Sequence, residues 1–170
     1  MIEAIALNPG TPRRNAARRV HLLRGMAGSA ALRVSDIMHE RVHAVAPSER
    51  IDDVFTMMRL AGIRHVPIVD EGNLVGVASD RDILLAWPRG ADTPVGQVMT
   101  HEPRWVSPDT SARDAAAILL RHKIGCLPVL DPIERRVVGV VTASDFLSLA
   151  HRALMIQEAL EPVAGPASVH

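Results

Sequence analysis

Two short stretches of this chain carry the residue types that chemistry needs. Gly76-Val77-Ala78-Ser79-Asp80-Arg81-Asp82 and Gly139-Val140-Val141-Thr142-Ala143-Ser144-Asp145 each read as a glycine, two small apolar residues, a hydroxyl, two variable positions and an aspartate. An apolar strand running into a helix puts the hydroxyl at the helix N-terminus and the aspartate one turn in. Two chemistries use that geometry. In one, hydroxyl and acid form a capping box that satisfies the free backbone N–H groups, and the pattern is purely structural. In the other, the helix N-terminus and hydroxyl receive a phosphate, while the aspartate accepts hydrogen bonds from the two hydroxyls of a ribose. A single copy leaves these readings evenly balanced; recurrence in the same place, after the same preceding elements, favours a ligand.

Other chemistry-bearing residues are less organised. Of the eight histidines only His39 and His43 have a spacing suggestive of a metal, and they lack the carboxylate or thiolate cluster such a site needs, so no metal is assigned. Cys126, the single cysteine, excludes an internal disulfide and reads as a small buried hydrophobe rather than a redox thiol. No nucleophile with a base and an orienting partner can be assembled, which argues against an enzyme. Two tryptophans, two phenylalanines and no tyrosine make a stacking surface for single-stranded nucleic acid improbable. Trp105 falls near a possible base pocket, where its fluorescence would report a ligand.

The junctions belong to a longer duplication. Val34-Ser35-Asp36-Ile37-Met38 returns as Val95-Gly96-Gln97-Val98-Met99, and His65-Val66-Pro67-Ile68-Val69-Asp70 as Cys126-Leu127-Pro128-Val129-Leu130-Asp131, both at an offset of 61. The junctions recur at 63, which locates a two-residue insertion around 133–136. A fixed period of this kind marks a supersecondary unit that buries its apolar face against its twin. Each copy runs in the same order. A short helix ends at Met38 or Met99, the second started by Thr93 as N-cap with Pro94 at the first helical position. An extended piece follows at 42–45 or 104–106. The next helix carries Ile51, Val54, Phe55 and Met58, or Ala112, Ala115, Ala116 and Leu119, on one face. Two apolar strands come next, 65–69 with 74–78 and 126–130 with 137–141, joined in the first copy by the turn Asp70-Glu71-Gly72-Asn73. A last helix closes each copy; the second runs from Ser144 to about Leu160 with Phe146, Leu149, Ala153, Ile156 and Leu160 in a stripe that something must cover.

Charge is balanced at 19 basic and 19 acidic residues, without the excess of a general nucleic-acid binder. Five arginines lie within residues 1–31 against Glu3 alone, leaving the remainder mildly acidic. That first segment, with a possible basic helix over 15–26, reads as a flexible extension, or alternatively as a nucleic-acid contact. The apolar start lacks the preceding basic region of a secretory signal, and no run is long enough to span a membrane. A cytoplasmic protein is expected.

The order helix, strand, helix, two strands, helix resembles the cystathionine β-synthase (CBS) domain, as do Asp-Ile-Met, Val-Pro-Ile-Val-Asp and the Gly-Val-x-Ser/Thr-x-x-Asp junction. The resemblance covers about residues 32–150 in two tandem copies, the arrangement called a Bateman module. It implies an α/β (α+β) fold of two βαββα units packed with pseudo-two-fold symmetry: CBS domain 1 over 32–90, CBS domain 2 over 91–150, and a helical extension and tail over 151–170. It further implies two related clefts for adenosine-containing ligands: AMP, ADP, ATP, S-adenosylmethionine or NAD(H). Residue by residue, Ser79 and Asp82 would serve one cleft, and Thr142 and Asp145 the other, with hydroxyls toward phosphate and aspartates toward ribose. Ile63, Arg64, His65, Val66 and Pro67, and Ile124, Gly125, Cys126, Leu127 and Pro128, would frame the bases. Arg81 is placed for a phosphate where the second copy has Ser144, so the first site is expected to hold phosphate more tightly. No cofactor is required beyond the regulatory ligand. The implied protein is a stand-alone sensor acting on an unidentified target, with the 51–61 and 112–120 helices as homodimer surfaces. A ligand-free interaction scaffold is the alternative.

Overall fold

The computed structural model of the chain describes residues 31–160 and the strand β1, Ile5–Leu7. The possible basic helix over 15–26 and the tail beyond 160 lie outside the described residues. Within the extension expected to be flexible, β1 pairs antiparallel with β2, Val42–Ala44. The order continues α1 (Val34–Ile37, preceding β2), α2 (Ile51–Ala61), β3 (His65–Asp70), β4 (Asn73–Ser79), α3 (Asp80–Ala86), β5 (Thr100–His101), α4 (Ala112–His122), β6 (Cys126–Leu130), β7 (Val137–Thr142) and α5 (Ala143–Leu160).

The periodic faces pack as their spacing demands. Ile51, Val54 and Met58 of α2, and Ala112, Ala115 and Leu119 of α4, are buried. Both helices end on a left-handed residue, Gly62 at φ 67° and Lys123 at φ 52°, whose N–H groups return to carbonyls of the last turn. Hairpins β3–β4 and β6–β7 are antiparallel, and their registers put His65 opposite Ser79 and Cys126 opposite Thr142. In α5, Phe146, Leu149, Ala153 and Ile156 are half-buried, and Phe146 packs on the core of the second half.

The halves exchange their leading segments. Val34, Ile37 and Met38 join the core of Val129, Leu127 and Val141, whereas Val95, Val98 and Met99 join that of Val66, Ile68 and Ala78. Two glycines permit it. A Cβ on Gly139 would lie 2.7 Å from the Met38 sulfur, and one on Gly76 would lie 2.3 Å from that of Met99. Sequence boundaries at 32–90 and 91–150 therefore follow the duplication, while each packed core is completed from the other copy. A third cluster of Val42, Ala44, Val69, Leu130 and Val137 ties both sheets together.

Three local expectations need correcting. The segment after Thr93 is a 3₁₀ turn, 95–97, not a helix, and its capping position is Pro94. Thr93 instead donates its hydroxyl to the Gly90 carbonyl at 2.7 Å, because that side chain is turned inward and buried. Arg104-Trp105-Val106 is not a strand; only Val106 bridges, to Val129. Strand β5, missed in the sequence, adds to β4 through Gly76 and Val77.

Candidate functional site

At the end of β4 the hydroxyl–aspartate pair closes as a capping box. Asp82 Oδ2 accepts from the Ser79 N–H at 2.8 Å and from its hydroxyl at 2.6 Å, and Ser79 Oγ accepts from the Asp82 N–H at 3.2 Å. The second junction repeats the core of this pattern: Asp145 Oδ2 accepts from the Thr142 N–H at 2.7 Å and its hydroxyl at 2.8 Å. The reciprocal capping box is thus complete at Ser79, and its aspartate half recurs at Thr142. It uses only one of the two carboxylate oxygens in each.

The two remaining oxygens meet different fates. Asp82 Oδ1 has no hydrogen-bond partner among the described residues, and Asp82 lines a cleft of about 620 Å³. Asp145 Oδ1 is bonded at 2.8 Å to Nε2 of His39, a residue from the exchanged segment of the first copy. That hydrogen bond raises the His39 pKa above the ordinary histidine value, with burial pulling the other way. Burial would by itself raise the Asp145 carboxyl, but the bonds from His39 and Thr142 hold it below the ordinary carboxylate value. His39 is therefore a carboxylate partner; among the described residues no group of three or more His, Cys, Asp or Glu is arranged to hold a metal ion.

The open cleft draws its walls from both halves. Ser79, Arg81 and Asp82 of the first junction face Ile124, Gly125 and Cys126 of the second copy, with Arg64 and His65 between. His65 stacks close on Gly125: a Cβ there would sit 2.7 Å from two ring atoms, so only glycine leaves the imidazole room. Burial lowers the His65 pKa despite Asp80 and Asp82, giving a neutral ring at pH 7. Cys126 also lines the cleft, and its thiol is pushed up to about 12, chiefly by burial and then by the Asp145 charge. Such a thiol stays protonated at neutral pH.

Other predicted positions separate from this group. Val66, Pro67, Leu127 and Pro128 are buried in their strands and do not line the cleft, and Ile63 packs against the first core. Trp105 lies in an adjoining cavity of about 250 Å³, beneath the guanidinium of Arg135 at 4.1 Å. Sequence reasoning missed Thr100, Glu102, Arg104 and Lys123, all on the cleft wall. Arg64, Arg81, Arg104 and Lys123 form no ion pair among the described residues, while Asp80, Asp82 and Glu102 partly balance them. The usable signal was positional: Thr100 stands 61 residues after His39, so one junction's neighbour predicts the other's.

The arrangement brings a hydroxyl, an aspartate, four cationic side chains and an imidazole to one cleft. Residues 34–89 and 95–152 match the family model of the CBS domain. The chain belongs to the CBS domain family. Over 115 residues it is 34% identical to the CBS domain-containing protein YhcV of Bacillus subtilis, covering 66% of this chain and 81% of that protein. Longer curated relatives are matched over only 21% to 24% of their own length. The CBS domain pair of protein MJ0100, solved with 5′-methylthioadenosine and S-adenosyl-L-methionine, is similar at TM-score 0.68 and 28% identity, covering 73% of this chain and 99% of that one. CBSX2 in complex with AMP gives TM-score 0.63 and 30% identity over 74% and 98%; that protein comes from Arabidopsis thaliana. Among the described residues no helix is long and apolar enough to cross a membrane.

Proposed function

We propose that this CBS pair is a regulatory module, without catalysis of its own, that binds an adenosine-containing ligand and passes its state to a separate partner protein in the cytoplasm. The supporting observation is the Ser79–Asp82 junction, whose aspartate bonds within the junction through Oδ2 alone and lines a cleft together with Arg64, Arg81, Arg104 and Lys123. Complexes of related CBS pairs with S-adenosylmethionine, methylthioadenosine and AMP support the ligand class. Because the walls come from both copies, a ligand that fits one packing of the halves better than another shifts that equilibrium, and the partner reads the difference. Exposed Leu60 on α2 and Leu120 on α4 support a homodimer through these helices; a monomer by light scattering at micromolar concentration contradicts it.

A thermal-shift panel of AMP, ADP, ATP, S-adenosylmethionine and NADH tests the reading. Ligand at about 100 times its Kd stabilises the fold by about 2.7 kcal/mol, a readily measured shift. The completed capping box at Ser79 favours the scaffold as second reading, since it gives the motif a purely structural use. Absence of a shift with all five ligands selects the scaffold.

A further inference from the structure

We propose that His39 occupies the second ribose carboxylate, so that at low ligand concentration the chain takes one adenosine-containing ligand, at the Ser79–Asp82 junction. The inference rests on the ligand reading given above. Both junctions fold their aspartate the same way: Oδ2 takes the backbone N–H and hydroxyl of Ser79 or Thr142. Recognition of a ribose diol falls to Oδ1. At Asp82 that atom is available, and Thr100, the residue related to His39 by the repeat, lines the cleft without bonding to it. At Asp145 it already holds the imidazole.

His39 is not a side chain that swings there from a loose loop. Its N–H donates to the Val140 carbonyl at 2.9 Å, and the Val140 N–H donates back at 3.0 Å. Met38, one residue earlier, is seated over Gly139. The exchanged backbone thus aims the ring at Asp145, whose side chain is 13% exposed, while the imidazole is 67% exposed. A ribose arriving there must displace a hydrogen bond to a charged group; with the ring so open to water, the loss in affinity is about tenfold.

Titration calorimetry of the full chain with AMP, and separately with S-adenosylmethionine, reads the number of sites. One site is expected in the natural chain, at concentrations where the weaker junction stays empty. His39→Thr, which installs the residue of the related position, should add a second site in both titrations, weaker for AMP because Ser144 stands where the first junction has Arg81. His39→Gln keeps a donor for Asp145 and should remain at one. Two equal sites in the natural chain overturn the inference, as does a single site in a His39→Thr variant whose thermal transition is intact. Should His39→Thr fail to fold, the natural chain's stoichiometry still decides. Absence of binding by all five of AMP, ADP, ATP, S-adenosylmethionine and NADH overturns the ligand reading itself, an outcome distinct from two equal sites.

Discussion

Ser79–Asp82 and Thr142–Asp145 share a motif, a place at a strand-to-helix junction and the same bonds to one aspartate oxygen. They differ in what the exchanged segment contributes: Thr100 lines the cleft of the first without bonding to its aspartate, whereas His39 bonds to the other oxygen of Asp145 at the second. Opposite the hydroxyls the strands differ as well, with His65 across from Ser79 and Cys126 across from Thr142. A duplicated motif therefore specifies the capping geometry, while the surrounding residues decide whether that geometry is left open to a ligand.

The largest expected effect comes from blocking the exchange. Gly76→Ala puts a Cβ 2.3 Å from Met99 Sδ and 3.1 Å from the Thr100 carbonyl, and Gly139→Ala one 2.7 Å from Met38 Sδ and 3.1 Å from the His39 carbonyl. The methionine ends can move but the carbonyls belong to paired backbone, so each variant should lose about 1–3 kcal/mol in denaturant unfolding. Of the two, only Gly139→Ala should also disturb the His39–Asp145 bond. Unchanged stability in both would break the exchanged packing.

Next comes Gly125→Ala, whose Cβ meets the His65 ring at 2.7 Å. Rotating that ring away costs about 1 kcal/mol, and AMP affinity should fall several-fold with only a small change in melting temperature. Arg64, the related residue of the first copy, shows that this position itself tolerates a side chain. The constraint arises from His65 and not from the backbone.

A subtler difference is in pH. His39 has its folded pKa raised, so its contribution to stability is fully present below the ordinary value of 6.5 and is lost as pH rises through the raised one. Asp145 has its pKa lowered, so its contribution is present above the ordinary 3.8 and is lost as pH falls through the folded value. The pair is strongest between those limits. A His39→Gln chain should lack the alkaline part of this dependence in thermal unfolding, whereas substitutions at Thr100 should leave it untouched.

Lys123→Gly gives the smallest effects. Relieving the left-handed φ of 52° should stabilise α4 by about 1 kcal/mol, while loss of the ammonium from the cleft wall should weaken ATP about two- to fivefold. Stabilisation with unchanged ATP binding would remove Lys123 from the phosphate side.

Much of this architecture is written in the period of the sequence. Apolar spacing gives α2, α4 and both hairpins, and the hydroxyl–x–x–aspartate pattern gives the caps, because these depend on residues three and four apart. The His39–Asp145 bond joins residues 106 apart, and nothing local announces it. The same holds for Arg104 and Lys123, brought to Ser79 only by the packing of one half on the other. Val66, Pro67, Leu127 and Pro128 were illegible for a different reason. Strands β3 and β6 are covered on both faces over these residues, so a continuous apolar run does not reveal which side chains turn toward a cleft.

AMP affinity of Asp82→Ala and Asp145→Ala, measured side by side on chains shown to be folded, bears most directly on the inequality of the two junctions. Loss of the open carboxylate in Asp82→Ala should weaken the high-affinity site about tenfold or more, and Asp145→Ala should leave that site nearly unchanged. Equal losses in the two variants would contradict it.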